Sequence, residues 1–299
     1  MTRQVEPELL DELAPDHLGA AGSRKDLVRL NRLMLNGRTM AQTLRWALTR
    51  PEKFGLPPLG GRQWGFVKRE ESAEPPKGGT PNEAERRIID LGGGDGRFML
   101  GVARRLGTKW RGTKLTLLDR HDVLRAETRA GFAALEWEIE MLTGEVLEWV
   151  EQPASLDALA SDGKKGSPLF DAVVANLFLH HFSEAQLLKM FAGLSAQTNL
   201  VVAVEPQRSW MALALSKSVG LIGCNYVTRH DAVTSVQAGF AGQELSRLWP
   251  AAQGWQFQEH PVGVCAHLFV AQRSSPIRHH ALVTPKSDEG GSRITHHTS

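Results

Sequence analysis

The sequence predicts an α/β protein: a doubly wound, mostly parallel seven-stranded sheet with a C-terminal antiparallel hairpin and a helical cap. Three observations carry that prediction. Short apolar runs alternate with helix-period stripes between residues 88 and 204, which is the pattern of βαβ units and a parallel sheet. A glycine-rich turn joins the first of those runs directly to the stripe behind it. The last two runs, 255–259 and 265–272, leave no room for a helix between them and must pair antiparallel.

The elements follow in order. Ser23 and Asp26 read as a helix cap, and Leu27, Leu30, Leu33 and Met34 then fall on one stripe. Gly37 is placed to end that helix, and Met40, Leu44, Ala47 and Leu48 carry the pattern to Pro51. Residues 1–67 are therefore expected to form the cap. Residues 68–82 are charged and rich in Pro and Gly, a flexible linker. Beyond it, strands are expected at Ile88–Leu91, Leu115–Leu118, Glu138–Leu142, Ala172–Ala175 and Leu200–Val204. Helices are expected at Phe98–Leu106, 123–135 and 183–195. Residues 207–250 are too long for an ordinary connection, and they carry helical patterns at Met211–Val219 and Asp231–Phe240. They read as an insertion, within a domain spanning 83–273, that covers the site. Residues 274–299 have few apolar side chains and are expected to be disordered.

Bulk properties narrow the class. With 299 residues, 41% of them hydrophobic, the chain can bury one large core or two small ones. No run of about 18 uncharged apolar residues occurs, so no membrane span is expected. The acidic segment Met1–Asp16 lacks an apolar signal region, and Cys224 and Cys265 are too few for a disulfide framework. Both point to the cytoplasm. A formal charge of +2 without a long Lys/Arg run argues against a surface that tracks nucleic acid. Oligomeric state is left open.

The strongest local signal is Ile88-Ile89-Asp90-Leu91-Gly92-Gly93-Gly94-Asp95-Gly96. Glycines between a strand and a helix let the backbone take φ > 0 and approach a ligand closely. Taken alone, such a turn needs no ligand. Asp119 ends the next strand, 23 residues after Gly96, where a carboxylate accepts from ribose hydroxyls. Together they indicate an adenosine-type cofactor. A dinucleotide fingerprint wants a sixth-position glycine, and counting from Gly92 that position is Arg97. Asp90 is also unfavourable beside phosphates and suited to an ammonium. The ligand those residues want is an adenosine with a cationic amino-acid tail, which describes S-adenosylmethionine.

At these residues the chain resembles class I S-adenosylmethionine-dependent methyltransferases. Asp90 to Gly96, with Gly92, Gly94 and Gly96, looks like their first motif, and Leu117-Leu118-Asp119 like their second. Thr143-Gly144-Glu145-Val146 looks like the third, which implies that Glu145 meets the adenine amino group, with Glu where Asp is usual. Phe170 through Phe182 resembles the fourth strand and its loop, which implies that Asn176 flanks the methionine end. Residues 84–205 carry the resemblance, and 254–273 share its strand order. The N-terminal block and the stretch from Glu205-Pro206 to Arg229-His230-Asp231 resemble a bacterial group acting on small molecules, some of polyketide or quinone type. The implied activity is methyl transfer to an oxygen or carbon of a small molecule.

Methyl transfer needs alignment of a nucleophile opposite sulfur, and a base adds about 10²–10⁴-fold. Three residues are candidates for that base. His181, beside His180, follows the fourth strand, where packing is the plainer role for the pair. His230 lies in the insertion, in a segment equally suited to starting a helix. Glu205 ends the fifth strand, and Arg208 nearby is placed to hold a carboxylate substrate. Trp210 and Trp249 suit either an aromatic pocket or core packing. No metal is expected, because metal-using relatives of the resembled family place a carboxylate where this chain has Asn176. The tail histidines His279, His280, His296 and His297 lie in a segment too polar to build a zinc site. Base methylation is disfavoured because Asn176-Leu177-Phe178-Leu179 has no proline pair to grip a flipped base. A protein substrate and a silent cofactor-binding module stay open as alternatives.

Overall fold

A computed structural model describes residues 1–14, 16–49, 86–151, 169–250 and 253–274. The expected linker 68–82 and the tail beyond Ser274 lie outside them. In chain order come α1 (Leu9–Glu12), α2 (Leu18–Leu33), α3 (Asn36–Thr49), β1 (Arg87–Leu91), α4 (Arg97–Leu106), β2 (Lys114–Asp119), α5 (Ala126–Ala133), β3 (Glu138–Thr143) and α6 (Val146–Glu151). Then follow β4 (Ala172–Asn176), a 3-10 turn at Leu179–His181, α7 (Glu184–Gln197), β5 (Leu200–Pro206), α8 (Trp210–Lys217), α9 (Tyr226–Ala238), α10 (Glu244–Arg247), β6 (Trp255–Val262) and β7 (Ala266–Arg273).

The seven strands form one sheet in the order β3-β2-β1-β4-β5-β7-β6. The first five run parallel, while β7 pairs antiparallel with both β5 and β6. The expected sheet and its C-terminal hairpin are both present. Successive residues of each strand face opposite layers, so Ile88 and Val174 pack on one side and Ile89 and Val173 on the other. The first layer holds α4, α5 and α3; the second holds α6 and α7. Both faces of the central strands β4 and β5 are covered, which is why they read as apolar runs, whereas β3 at the sheet edge alternates and leaves Glu138 and Glu140 exposed.

Two expectations change at the N-terminus. Met40, Leu44 and Ala47 of α3 are fully buried against the sheet, so α3 belongs to the core layer and, among the described N-terminal helices, only α1 and α2 lie over the top. The break between α2 and α3 comes at Leu35, with φ 60°, and Gly37 continues the helix. Ser23 and Asp26 are not a cap either. His17 caps α2, and both expected cap residues are buried in the helix, turned toward α9. There Asp26 Oδ2 accepts from the Asn225 backbone N at 2.8 Å and from Thr228 Oγ1 at 3.1 Å, while Ser23 Oγ meets the same hydroxyl. Polar residues that look like a local helix start are thus the ties between the N-terminal helices and the insertion.

Asp26→Ala should therefore loosen the covering layer, since it strands the Asn225 amide, removes one partner of the Thr228 hydroxyl and frees Arg29 from its 3.2 Å ion pair. A loss of about 2–3 kcal/mol is expected in chemical denaturation, because each buried donor left unpaired costs about 1–3 kcal/mol.

Candidate active site

The strand ends build the cofactor side. The Gly92 and Gly93 amides donate to the Leu118 carbonyl at 2.8 and 3.2 Å, which folds the turn back over β2. Gly92 has φ +68°, and a Cβ there would lie 2.2 Å from the Phe178 ring, so that position tolerates only glycine. Gly94 has φ +53°, and a Cβ there would meet nothing within 4 Å: the turn faces open space at this point. Gly96 stands at the head of α4. Asp119 Oδ2 accepts from the Gly94 amide at 2.9 Å and Oδ1 from the His121 amide at 3.0 Å, and each oxygen keeps a second lone pair. Arg97, which breaks the dinucleotide pattern, is held by Asp95 at 2.6 Å and reaches the Arg24 carbonyl.

Asp90 is different. Its carboxyl is buried, and among the described residues no hydrogen-bond donor or cation reaches it. Burial first, and then the charge of Asp119, push it well above the usual carboxylate range. Glu145, by contrast, is half exposed and lies 3.9 Å from Arg120, which also pairs with Asp11. Asn176 at the end of β4 is tied to the N-terminal helices: its amide donates to Asn31 Oδ1 at 3.0 Å, and its oxygen accepts from Asn36 at 3.1 Å.

A buried charge network lies beside this edge. Glu205, fully buried at the end of β5, accepts from the Phe178, Leu179 and His180 amides and from His180 Nδ1 at 2.8 Å. His180 Nε2 reaches Glu8 Oε1 at 3.2 Å, and Ser235 also donates to that oxygen. Burial alone would lower the His180 pKa, but Glu205 and then Glu8 overcome it and raise it to about 9. His181, part-exposed, has Nδ1 3.0 Å from Asp11 Oδ2 and Nε2 4.0 Å from Glu8 Oε2. Glu8, His180 and His181 place His and carboxylate ligand atoms within 4.8 Å of one another. Both nitrogens of His180 already face carboxylates, however, which is the geometry of a protonated ring holding two anions.

The three base candidates are thereby separated. Glu205 is consumed by backbone amides and His180, so it anchors the β4 loop. His230 is half exposed on α9, its Nδ1 3.0 Å from Asp231, and neither it nor His181 lines the cavity described next. His181 and His230 are both accessible and paired with a carboxylate, and His181 is the one on the β4 loop, whose Phe178 ring lies against Gly92. Arg208 is spent on the Gly239 and Met1 carbonyls and on Glu244, so it is not free for a substrate. Trp249 packs against Phe191 and Trp255, and Trp210 is exposed. Nothing in the sequence reading singled out Glu8 or Asp11, because their partners lie some 170 residues away and leave no local pattern.

A cavity of about 730 Å³ opens between α2, α8, α9 and the β6–β7 turn. Leu27, Leu30, Leu215, Ile222 and Val236 form its walls, with Glu8, Thr228 and Asp231 at polar points. It does not extend to Asp90 or the glycine turn. Leu177, directly after Asn176, is its nearest approach to the strand ends, and Leu177 holds φ 53°, a conformation costly for a branched side chain. Asp231 accepts from the Leu9 and Leu10 amides at 2.8 and 3.1 Å, so the insertion clamps α1 over the cavity.

No known family profile matches the chain, and no curated protein matches it. Solved structures do. The pyocyanin biosynthetic protein PhzM shares 16% identity over 64% of this chain and 51% of its own, with a TM-score of 0.42. A putative O-methyltransferase from Nostoc punctiforme gives 14%, 64%, 53% and 0.41, and the mitomycin 7-O-methyltransferase MmcR 15%, 64%, 50% and 0.41. The chain spans about half the length of these proteins. Likeness this remote assigns no activity. The described residues have the seven-stranded α/β sheet, with its antiparallel C-terminal pair, that a class I methyltransferase resemblance implies.

Because the His180 pKa is raised in the folded protein, its stabilising charge is fully present below about pH 6.5 and is lost as pH climbs toward 9. Stability should fall across that window by up to about 3 kcal/mol, from one group at 1.36 kcal/mol per pKa unit. Denaturation midpoints from pH 6 to pH 9.5 check this, with His180→Asn expected to flatten the slope.

Proposed function

We propose that the chain is a methyltransferase that holds S-adenosylmethionine along the carboxyl ends of β1, β2 and β4 and transfers its methyl group to a small molecule in the adjoining cavity. One observation carries the reading: among the described residues Asp90 is a buried carboxyl with no partner, beside a glycine turn that faces open space at Gly94. An unpartnered buried acid is expensive unless a cation completes it, and the ammonium of the cofactor's amino-acid tail has that charge. Asp119 has lone pairs left for two ribose hydroxyls. A half-exposed Glu145 stands near the third strand's end for the adenine, and Asn176 borders the methionine side from its place in the asparagine cluster. The cofactor supplies a methyl group already activated by its sulfonium.

The cap and insertion then do the protein's share. They hold the acceptor in an apolar cavity, align its nucleophile and keep water out. A bond forms between the acceptor oxygen or carbon and the methyl carbon, the carbon–sulfur bond breaks, and S-adenosylhomocysteine leaves. His181 lies outside the lining of that cavity, so the acceptor's nucleophile must project past Leu177 toward the strand ends, where His181 Nε2 takes its proton and Asp11 fixes the ring through Nδ1. Its neighbour Phe178 packs on Gly92, which places the histidine beside the cofactor turn.

Calorimetry should show binding of S-adenosylmethionine and S-adenosylhomocysteine and none of comparable strength for NAD. Asp119→Ala is expected to weaken cofactor binding by about 2–4 kcal/mol, and Gly94→Val to weaken it through strain at φ +53°. Tight NAD binding without heat from either adenosyl ligand would overturn the reading. Binding should also release up to one proton from Asp90, seen as a dependence of the heat on the buffer's ionisation enthalpy, and Asp90→Asn should abolish that dependence.

His181→Ala should lower turnover by about 10²–10⁴-fold with cofactor affinity nearly unchanged. A His181→Ala enzyme that turns over normally would remove it from the reaction.

A further inference from the structure

Among the described residues, thirteen large apolar side chains are exposed, and ten of them lie on residues 18–35, residues 210–226 and Val264. Leu18 and Leu221 are each 89% exposed, Trp210 75% and Met211 62%. Scattered apolar residues need no explanation, but a cluster of this kind marks a docking face. These residues surround one feature. Leu33, Leu215, Ile222 and Val264 line the large cavity while remaining exposed, so they form its rim. The Arg29 guanidinium reaches the Ile222 carbonyl, and the Tyr226 hydroxyl lies against Gly19 next to Leu18, which joins the α2 and insertion parts of the surface.

Charge on the same surface is one-sided. Helix α2 contains four Lys/Arg and residues 209–229 two, against two carboxylates, the buried Asp26 and the exposed Asp16 just before α2. Lys25, Arg32, Lys217 and Arg229 are all exposed. A second copy docked on this face would set cations against cations, and a purely acidic protein would leave Trp210 and Leu221 without apolar partners. An anionic lipid surface satisfies both demands: lysine and arginine sit at headgroup level while tryptophan and leucine enter the acyl boundary. The cavity behind the rim fits this occupant. Among the described residues its lining contains no aromatic side chain, only aliphatic walls with a few polar points, which suits a flexible alkyl chain better than a stacked ring.

We propose that the face formed by α2, α8 and the start of α9 docks on an anionic lipid bilayer, with the cavity mouth opening toward it. No helix among the described residues is long and apolar enough to cross a membrane, so the contact is with the surface. The acceptor role of the cavity comes from the proposed function, but docking itself requires no cofactor, so the two can fail separately.

Co-sedimentation of the full chain with vesicles tests this. Binding is expected to phosphatidylcholine vesicles containing phosphatidylglycerol, to weaken in high salt, and to be much weaker with phosphatidylcholine alone. Trp210→Ser with Met211→Ser, at two exposed positions outside the cavity lining, should cut the bound fraction several-fold while the circular dichroism spectrum stays unchanged. Lys25→Glu with Lys217→Glu should lower affinity by at least about fivefold for each cation removed. Equal binding to neutral vesicles, or none to anionic ones, overturns the proposal. So does a dimer in sedimentation equilibrium that Trp210→Ser with Met211→Ser converts to monomer, because the face would then belong to a second copy.

Discussion

The Glu205 carboxylate is the constraint on which the rest of the site depends. It is fully buried at the end of β5, and four donors converge on it: three successive backbone amides of the β4 loop and the His180 ring. That grip fixes the path of residues 178–180 across the strand ends. The fixed loop puts Phe178 on Gly92 and His181 toward Asp11, and it aims His180 at Glu8. One carboxylate thus sets the glycine turn, the accessible histidine and the N-terminal segment in register. A buried ion pair broken by losing one partner is costly, because the other charge is left without compensation.

Much of the sheet was legible because its signals are local. Ala172–Ala175 and Leu200–Val204 are apolar on both faces, Ile88–Leu91 is broken only by Asp90, and the hairpin followed from the lack of room for a helix. Ser183 with Gln186 forms a capping box at the expected start of α7, again a short-range pattern. The glycine turn and Asp119 were legible for the same reason. What stayed hidden was long-range. Asp231 looks like a residue at a helix start, but it caps α1 from 222 residues away; Asn225 is the cap of α9. Ser23 and Asp26 carry a local capping pattern that tertiary packing turned to another use. Glu205 has the chemistry of a base and lost that role to three amides that no spacing rule could place.

The same contrast separates the two halves of the site. The cofactor side rests on backbone geometry near the strand ends, where a glycine's φ and a carboxylate's position are set by neighbours within a few residues. The acceptor side is assembled from the N-terminal helices, the insertion and the hairpin turn, three segments remote in sequence. Its walls can vary without disturbing the sheet, because most of them belong to no strand. Leu177 is the point where the two halves meet, and there the backbone is held in a left-handed conformation between a strand and a cavity.

The N-terminal segment has a consequence for how the molecule is made. Residues 1–14 are made before the partners that seat them, which lie far downstream. Glu8 needs His180, Leu9 and Leu10 need Asp231, Arg3 needs the Ala238 carbonyl, and Gln4 needs that of Gln237. The edge of β5 likewise waits for β7, which ends at Arg273. Residues made this early are therefore seated late, and the cavity they cover closes only after nearly the whole sheet has formed.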